Sequence, residues 1–346
     1  MNRWTDLKGE RMLGVGVLGC GFMGSTHAHA YAKLPDVRVV GVSSLSQKEA
    51  FTLANEVGAE PFTDAADLIA DRRTDVISVA LPTHLHKEYA VRAMDAGKHV
   101  LVEKPMSLAV KDCDHMIEAS QRNERLLMVG HVLRFWPEYL ALAEVVHSGE
   151  LGRPIAATAS RLSSRPRWGW QNWFANPAFS GGAVFDMQVH DVDVLNWMFG
   201  KPVTVYSRGE RGNTGGWDHV QTLIDYEEAT GFAEDSVLMP EGYPFYQGLK
   251  VLCEHGSVEF VSRAASTGVE TSIAEGTRLA VYPSGAPAHP LDTVAGDAYE
   301  NEVAYFAGCV QDGQSPERGT AEQGRLAVQC VVAAQSSLTT DQVVAL

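Results

Sequence analysis

The sequence is poor in cysteine and contains no long apolar run. Its five cysteines among 346 residues are scattered and form no Cys-x-x-Cys pair. Such usage is typical of a reducing cytoplasm and offers neither a disulfide framework nor a zinc site. No apolar run reaches the roughly 18 residues of a membrane span, and the polar start MNRWTDLKGER is unlike a signal peptide. We therefore expect a cytoplasmic protein.

Positive charge is also scarce. Lys and Arg number 28 against 43 Asp and Glu, which gives a net charge of −15 with His neutral. An excess of negative charge argues against nucleic acid or an anionic membrane surface as a partner. The chain shows no internal repeat and no low-complexity segment. Its 346 residues exceed the roughly 250–300 of a single hydrophobic core, so two domains are expected.

Strand-like and helix-like segments alternate over the first 130 residues. The strand-like segments are 12–19, 37–43, 75–81, 98–103 and 125–130, and the helical ones are 22–34, 46–57, 84–96 and 107–122. The run DVISVAL lacks polar alternation, which is typical of parallel strands covered on both faces. These β-α units predict a doubly wound parallel sheet, an α/β Rossmann domain over residues 1–132.

The pattern changes after about Arg134. A helix is predicted over 137–147, a strand over 154–163 and one apolar helix over 181–200. Residues 202–283 hold strand candidates separated by Gly, Pro and Asn turns, and two helices close the chain. We therefore expect an α+β domain over 133–346, with a mainly antiparallel sheet and the closing C-terminal helices.

Two Gly-x-Gly-x-x-Gly matches overlap near the start of the chain. The first begins at Gly14 and lies inside a strand, where small residues only permit close packing. The second, Gly19, Gly21 and Gly24, lies at the first strand-to-helix turn. Backbone N–H groups and the helix dipole can hold a pyrophosphate there. The motif predicts dinucleotide binding, and the alternative is a purely structural turn.

The end of the second strand bears on the choice of cofactor. An acid that binds the adenosine ribose is expected about 20 positions after the glycines. The chain has Ser44 at that position, and the nearest cation is Lys48. Without the carboxylate, a feature that favours NAD and repels the 2′-phosphate of NADP is lost. The sequence leaves NAD or NADP open and tilts towards NADP.

Two short stretches follow predicted strands at their carboxyl ends, where open α/β sheets bind ligands. LPTHLH occupies 81–86 and EKP occupies 103–105, so Lys104 can reach a ligand above the reactive end of the cofactor. The alternative for EKP is a surface turn. His27/His29 and His84/His86 each point about 200° apart on a helix, so neither pair converges on an ion and no metal is expected.

Polar residues interrupt the apolar helix predicted over 181–200. At 100° per residue, Asp186, His190 and Asp193 fall within roughly a 60° arc, whereas Asp191 points well away. Buried carboxylates are costly unless something requires them. The row is either a hydrogen-bonded structural cluster or an acid–base site in which His190 exchanges a proton and Asp186 orients it.

With these motifs, the chain resembles the glucose–fructose oxidoreductase/inositol dehydrogenase/MocA family over nearly its whole length. The matching stretches include VLGCGFMG (17–24), ALPTHLHKEYAVRAMDAGKHVLVEKPMSL (80–108), VGHVLRFWPEY (129–139), SGELG (148–152), SGGAVFDMQVHDVDVLNWMFG (180–200) and MPEGYPF (239–245). The resemblance implies a Rossmann domain followed by a large open, mainly antiparallel sheet. It also implies reversible oxidation of a secondary alcohol of a sugar, sugar derivative or cyclic polyol by NAD(P), in a homodimer or homotetramer.

The resemblance also implies site residues by matching position. Lys104 matches the catalytic lysine, and Asp186 and His190 match the acid–base pair of inositol dehydrogenases. Thr83 stands where many members have asparagine. The expected substrate-binding residues are Lys104, Arg134, Asp186, His190 and Asp193. The expected cofactor contacts are Gly19, Gly21, Phe22, Met23, Gly24, Ser44, Lys48, Leu81, Pro82, Thr83, His86, Glu103 and Lys104.

We therefore expect an NAD(P)-dependent dehydrogenase of the inositol-dehydrogenase type that needs no metal. Within the family, the alternatives are reduction of a keto-sugar and oxidation within a glycoside. From another class, the chain could be a non-catalytic dinucleotide-binding sensor. A sensor could dispense with Lys104, Asp186 and His190, so the presence of all three favours the enzyme.

Overall fold

A computed structural model describes residues 12–165, 170–264 and 276–346. The expectation about the first eleven residues, and part of the tryptophan-rich stretch at 168–174, lie outside these ranges. The chain divides into two compact units. The first consists of Met1–Met106, Lys111–Gly130 and Tyr299–Ala321, and the second of Ser107–Val110, His131–Ala298 and Glu322–Leu346.

The first unit contains a parallel six-stranded sheet. Its strands are β1 (Leu13–Leu18), β2 (Val37–Ser43), β3 (Glu60–Phe62), β4 (Val76–Val79), β5 (His99–Glu103) and β6 (Leu127–Gly130). The helices of this part of the chain are α1 (Phe22–Ala32), α2 (Gln47–Val57), α3 (Ala65–Ala70), α4 (His86–Asp95) and α5 (Val110–Asn123). The strand order β3-β2-β1-β4-β5-β6 is that of the Rossmann fold, so the ligand crevice is expected where the order reverses, between β1 and β4.

The predicted Rossmann architecture is confirmed. All residues of β1 and β4 are buried, because helices cover both faces of a parallel sheet. The sequence missed β3 and α3, which contain three and six residues. Elements of that length are too short to show a helical or strand period.

The second unit contains a nine-stranded mixed sheet. Its strands are β7 (Pro154–Leu162), β8 (Pro202–Arg211), β9 (Trp217–Tyr226), β10 (Thr230–Ser236), β11 (Phe245–Cys253), β12 (Gly256–Ala264), β13 (Arg278–Pro283), β14 (His289–Pro290) and β15 (Val344–Ala345). Their order is β14-β13-β12-β11-β7-β10-β9-β8-β15, and among these described strands only β7 and β10 pair in parallel. The predicted mainly antiparallel sheet is therefore confirmed.

Six helices follow β6 along the described chain. They are α6 (Pro137–Ser148), α7 (Pro177–Ser180), α8 (Ala183–Asp186), α9 (Gln188–Phe199), α10 (Ala298–Asp312) and α11 (Ala321–Thr340). Short 3-10 turns occupy Thr83–Leu85, Val132–Phe135 and Trp170–Ala175. Within the described ranges, no helix combines the length and apolarity needed to cross a membrane.

Helix α10 packs with the first unit, whereas the sequence placed it in the domain over 133–346. Glu302 of α10 is fully buried, and Glu300 forms an ion pair with Lys33 of α1. The N–H of Val129 in β6 donates to the carbonyl of Gly319 at 2.7 Å. These contacts join residues far apart in the sequence, so no local pattern could reveal them.

The stretch 181–200 is two helices and not the single one predicted. Helix α8 ends at Asp186 and α9 begins at Gln188, with Met187 (φ −100°, ψ −56°) between them. The N–H of His190 donates at 3.2 Å to the carbonyl of Met187, three residues earlier, which is 3-10 spacing. A uniform 100° per residue therefore does not apply across the break, and the predicted polar arc has to be replaced by the observed positions.

Candidate active site

The turn between β1 and α1 has the geometry that pyrophosphate binding requires. Gly19 has a φ of 103°, and a Cβ there would lie 2.3 Å from the carbonyl oxygen of Ala80. A Cβ on Gly24 would lie 1.9 Å from the carbonyl oxygen of Gly19. A Cβ on Gly21 would meet nothing within 4 Å, and this exposed residue precedes the first residue of α1. An anion can approach the backbone there, so these residues fit a dinucleotide.

The other expected cofactor contacts divide by exposure. Phe22 is exposed at the start of α1, and Met23, Leu81, Pro82 and Lys104 are half-buried. Thr83, His86 and Glu103 are buried, with 2%, 1% and 5% of their surface exposed. The accessible residues are placed to contact a ligand directly. The buried His86 and Glu103 instead contact the backbone of the loops at 81–82 and 104–105, which we call the rim.

His86 joins the two loops of the rim. Its Nδ1 lies 3.0 Å from the carbonyl oxygen of Pro105, and its Nε2 lies 2.7 Å from that of Leu81. Burial lowers the pKa of His86 although these two hydrogen bonds oppose the change. Both ring nitrogens therefore face the protein backbone. This supporting position differs from the direct cofactor contact expected from the sequence.

An acidic side chain reaches the position where the sequence lacks one. Ser44 Oγ donates to Oε2 of Glu49 at 3.0 Å, and the N–H of Glu49 donates to the N-cap Ser46 at 3.3 Å. Burial and the charge of Glu49 raise the pKa of the Cys20 thiol to about 12, so this carboxylate also acts on the glycine turn. Sequence reasoning missed Glu49. The available signal was the Ser-x-x-Glu capping pattern. Lys48 is exposed in the same turn of α2.

Lys104 follows β5 and is tied to it through Glu103. The N–H of Lys104 donates to Oε2 of Glu103 at 3.1 Å. Oε1 of Glu103 lies 2.9 Å from Nε2 of His27, whose Nδ1 lies 2.7 Å from Oγ of Ser78. Burial opposes ionisation of Glu103, but the hydrogen bond and charge of His27, with the charge of Lys104, lower its pKa. Glu103 is therefore a buried carboxylate that contacts the backbone of Lys104.

One group of possible metal ligands occurs among the described residues. It consists of His27, Glu103 and Glu302, which are all buried and whose ligand atoms lie within 4.8 Å of one another. The contact of 2.9 Å between His27 and Glu103 already gives both atoms a partner. His29 lies apart from this group, with Nδ1 2.8 Å from the carbonyl of Ser25. Sequence reasoning missed Glu302 entirely.

In the second unit, the described segment 183–196 is buried except at two polar residues. Asp186 and His190 are half-buried, at the end of α8 and in the first turn of α9. Gly181 and Gly182, with φ of 76° and 73°, turn the chain into α8. The structure therefore keeps accessible the two side chains that the sequence assigned to acid–base chemistry.

Asp193 does not belong to that accessible pair. It is 1% exposed, and Arg134, 3% exposed, donates to both carboxylate oxygens at 2.8 and 2.9 Å. His131 Nδ1 lies 3.6 Å from Oδ2 of Asp193. The expected direct binding of substrate by Arg134 and Asp193 is thus replaced by a buried ion pair, because each satisfies the charge of the other. This pair ties the turn at 132–135 to α9.

Asp191, predicted to lie on another face, anchors α9 to the sheet. Arg161 of β7 donates to its two oxygens at 3.0 and 3.1 Å and to Gln247 of β11 at 3.0 Å. All three are buried. Burial and the charge of Asp191 raise the pKa of the neighbouring Asp235 well above its usual value, which favours its neutral form. Two arginines therefore anchor α9, the helix that carries His190, through Asp191 and Asp193.

Comparison with known proteins finds relatives over nearly the whole chain. The model of an oxidoreductase family with an NAD-binding Rossmann fold matches residues 13–131, and that of the GFO/IDH/MocA C-terminal domain matches 139–259. Myo-inositol 2-dehydrogenase of Thermotoga maritima is 27% identical, covering 94% of this chain and 96% of its own. Scyllo-inositol 2-dehydrogenase (NAD(+)) of Bacillus subtilis is 27% identical over 89% of each chain.

A solved structure with a similar fold is the aldose-aldose oxidoreductase from Caulobacter crescentus, complexed with glycerol. It superimposes with a TM-score of 0.84 over 97% of this chain and 100% of its own. The identity is 21%, so this likeness establishes the fold alone.

Proposed function

Because the chain belongs to the glucose–fructose oxidoreductase/inositol dehydrogenase/MocA family of oxidoreductases, we propose that it transfers hydride between a nicotinamide dinucleotide and a secondary alcohol of a cyclic polyol or sugar. The accessible pair Asp186 and His190, in a segment that is otherwise buried, carries this proposal. Relatives of similar length named inositol 2-dehydrogenases favour a cyclic polyol as substrate. A sensor that only binds a dinucleotide would need the glycine turn but not these two residues.

We assign the proton transfer to His190. Imidazole suits proton exchange near neutral pH, and Asp186 orients the ring. Lys104 holds the hydroxyl oxygen and stabilises the negative charge that develops on it. The nicotinamide, when bound, accepts the hydride. The two buried Arg–Asp pairs keep α9 fixed, so His190 needs little reorganisation during the reaction.

We also propose that NAD is preferred over NADP, against the tilt given by Ser44. Glu49 brings a carboxylate to within 3.0 Å of Ser44 at the end of β2. A carboxylate at this position can accept hydrogen bonds from the ribose hydroxyls and repels a 2′-phosphate. Gly19, Gly21 and Gly24 would hold the pyrophosphate, and the residues at 81–82 would line the rim.

Reduction of NAD and of NADP over a panel of alcohols tests the function. The panel contains myo-inositol, scyllo-inositol, free aldoses and aryl glycosides, and keto-sugars are assayed with the reduced cofactors. We expect turnover with NAD and at least one cyclic polyol. Turnover only with a keto-sugar or a glycoside would select one of the family alternatives.

Cofactor binding without turnover over the whole panel would support the sensor. Light scattering on the same sample tests the homodimer or homotetramer that the family resemblance implies.

A further inference from the structure

Three ionisable side chains meet in the interior of the first unit, directly beneath the loop that carries Lys104. They are His27 of α1, Glu103 of β5 and Glu302 of α10, with 0%, 5% and 0% of their surface exposed. We call them the buried triad. Glu302 Oε2 lies 3.9 Å from Nε2 of His27, beyond hydrogen-bond distance, and neither carboxyl oxygen of Glu302 has a hydrogen-bond partner among the described residues.

The triad carries its negative charge on one residue. Burial and the charge of Glu103 raise the pKa of Glu302 well above its usual value, which favours the neutral acid over the carboxylate. The pKa of Glu103 is lowered, mainly through His27, and Glu103 is the carboxylate. Two carboxyl groups this close cannot both ionise in an interior.

The titratable neighbours of the triad come from three directions. Tyr31 of α1 interacts with Glu302, and burial is the main reason that the pKa of its phenol is raised. His86 of α4 and Lys104 both interact with Glu103. Of these neighbours, Lys104 follows Glu103 directly and donates its backbone N–H to it at 3.1 Å.

We propose that Glu103, held in place by His27, is a positioning residue for Lys104, and that Glu302 completes the triad without adding charge. The inference rests on the proposed function, because it concerns the lysine assigned to the substrate oxygen. Oε2 of Glu103 accepts from the backbone N–H of Lys104, and Oε1 lies 2.9 Å from Nε2 of His27, so contacts on both oxygens hold its position. A fixed negative charge in a low-dielectric interior attracts the ammonium group of Lys104 and restricts where that group can lie when it stabilises an oxyanion.

Two isosteric variants separate the charge from the packing. Glu103→Gln and Glu302→Gln each replace a buried carboxyl by an amide of the same shape, and only the first removes a negative charge. We expect Glu103→Gln to lower kcat by about tenfold or more, with the Kd for the cofactor unchanged within about threefold. Glu302→Gln, the matched control, should keep kcat within about threefold and keep the parent pH profile.

A second readout does not depend on turnover. Lys104 is acylated with an amine-reactive reagent at fixed pH, and its labelling relative to the exposed Lys48 is measured by mass spectrometry. We expect Glu103→Gln to raise the relative labelling of Lys104 by about threefold, because the side chain is no longer held by the charge of Glu103, while Glu302→Gln leaves it unchanged. Should Glu103→Gln fail to fold, His27→Leu removes the polar partner of Glu103 and should raise the labelling of Lys104 in the same direction.

The two proposals fail in different ways. One outcome is that no alcohol is oxidised but Glu103→Gln still raises the labelling of Lys104. The triad then acts on Lys104, and the proposed function is wrong. If the two glutamine variants agree in both rate and labelling, the triad is only structural. A stoichiometric metal ion that the parent protein retains and Glu302→Gln loses would also overturn the inference, because the triad would then be a metal site.

Discussion

Arg134 donates to both carboxylate oxygens of Asp193, at 2.8 and 2.9 Å, and both side chains are buried. The pair joins the turn that follows β6 to the helix that carries His190. A buried ion pair contributes little net stability by itself, but loss of one partner leaves an uncompensated charge in the interior. The effect of a substitution at Asp193 on folding therefore separates this role from substrate binding.

We expect Asp193→Leu to lower the free energy of unfolding by about 3–5 kcal/mol, because Arg134 stays buried without its partner. The double variant Arg134→Met/Asp193→Leu should regain most of that loss. Urea denaturation of the parent, the two single variants and the double variant measures the coupling. A stable Asp193→Leu that only raises the KM for the polyol would instead place Asp193 in contact with substrate.

Lys104→Ala is expected to lower kcat by about 10²- to 10³-fold, because the charge it stabilises develops only in the transition state. The side chain is half-buried on the rim, so the fold and the cofactor Kd should change little. Steady-state rates and fluorescence titration of the cofactor measure the two effects. A kcat within tenfold of the parent would remove Lys104 from the mechanism.

His190→Asn and Asp191→Asn form a matched pair on adjacent residues of α9. His190→Asn should nearly abolish alcohol oxidation, and with it the rise in rate with pH that reports the general base, while cofactor binding remains. Asp191→Asn weakens the contact with Arg161 and should lower stability more than rate. Rate–pH profiles and thermal unfolding of both variants distinguish the effect on catalysis from the effect on stability. Retention of rate and profile in His190→Asn would mean that the accessible pair is structural.

Glu49→Gln should shift cofactor preference towards NADP. Removal of the carboxylate beside Ser44 abolishes the repulsion of a 2′-phosphate, so the ratio of kcat/KM for NAD to that for NADP should fall by about tenfold. Glu56→Gln, an exposed substitution on the same helix, is the control and should leave the ratio unchanged. Equal ratios in the two variants would show that the ribose is recognised elsewhere.

Glu302 makes stability depend on pH. Its pKa in the folded state is raised well above the ordinary value of 4.5, so the folded protein holds this proton more tightly than the unfolded chain does. The contribution of this proton to the free energy of unfolding is fully present below pH 4.5. It is lost as the pH rises towards the pKa of Glu302 in the folded state. We expect Glu302→Gln to flatten the decline in unfolding free energy above pH 4.5, measured by denaturant titration. The slope that remains includes Asp235, whose pKa is raised in the same way. Equal slopes in parent and variant would show that Glu302 is ionised in the fold.

Local sequence patterns were sufficient to predict much of the fold. The β-α alternation predicted the Rossmann sheet, and β2 has the predicted bounds, because a buried parallel strand is a continuous apolar run. The glycine turn was predictable because its backbone positions exclude a Cβ. In the second unit, turn residues between strands were enough to predict an antiparallel sheet.

The remaining features depend on contacts between distant parts of the chain. The partners of Asp193 and Asp191, Arg134 and Arg161, come from segments that a helical projection does not include. The capped start of α2 brings the carboxylate of Glu49 to the hydroxyl of Ser44, so inspection of position 44 alone found no acid. The break at Met187 lies between Asp186 and Gln188 in a stretch without proline, where the local sequence gave no reason to end a helix.

The return of α10 to the first unit has a consequence for biosynthesis. The six strands of that unit have all been made by residue 130, yet Glu302 arrives only after the strands of the second unit from β7 to β14. Until then α10 is missing beside His27 and Glu103, and the apolar surface that α10 covers in the folded unit stays exposed to solvent. The first unit therefore completes its interior near the end of translation, and a fragment cut after Gly130 should be prone to aggregate.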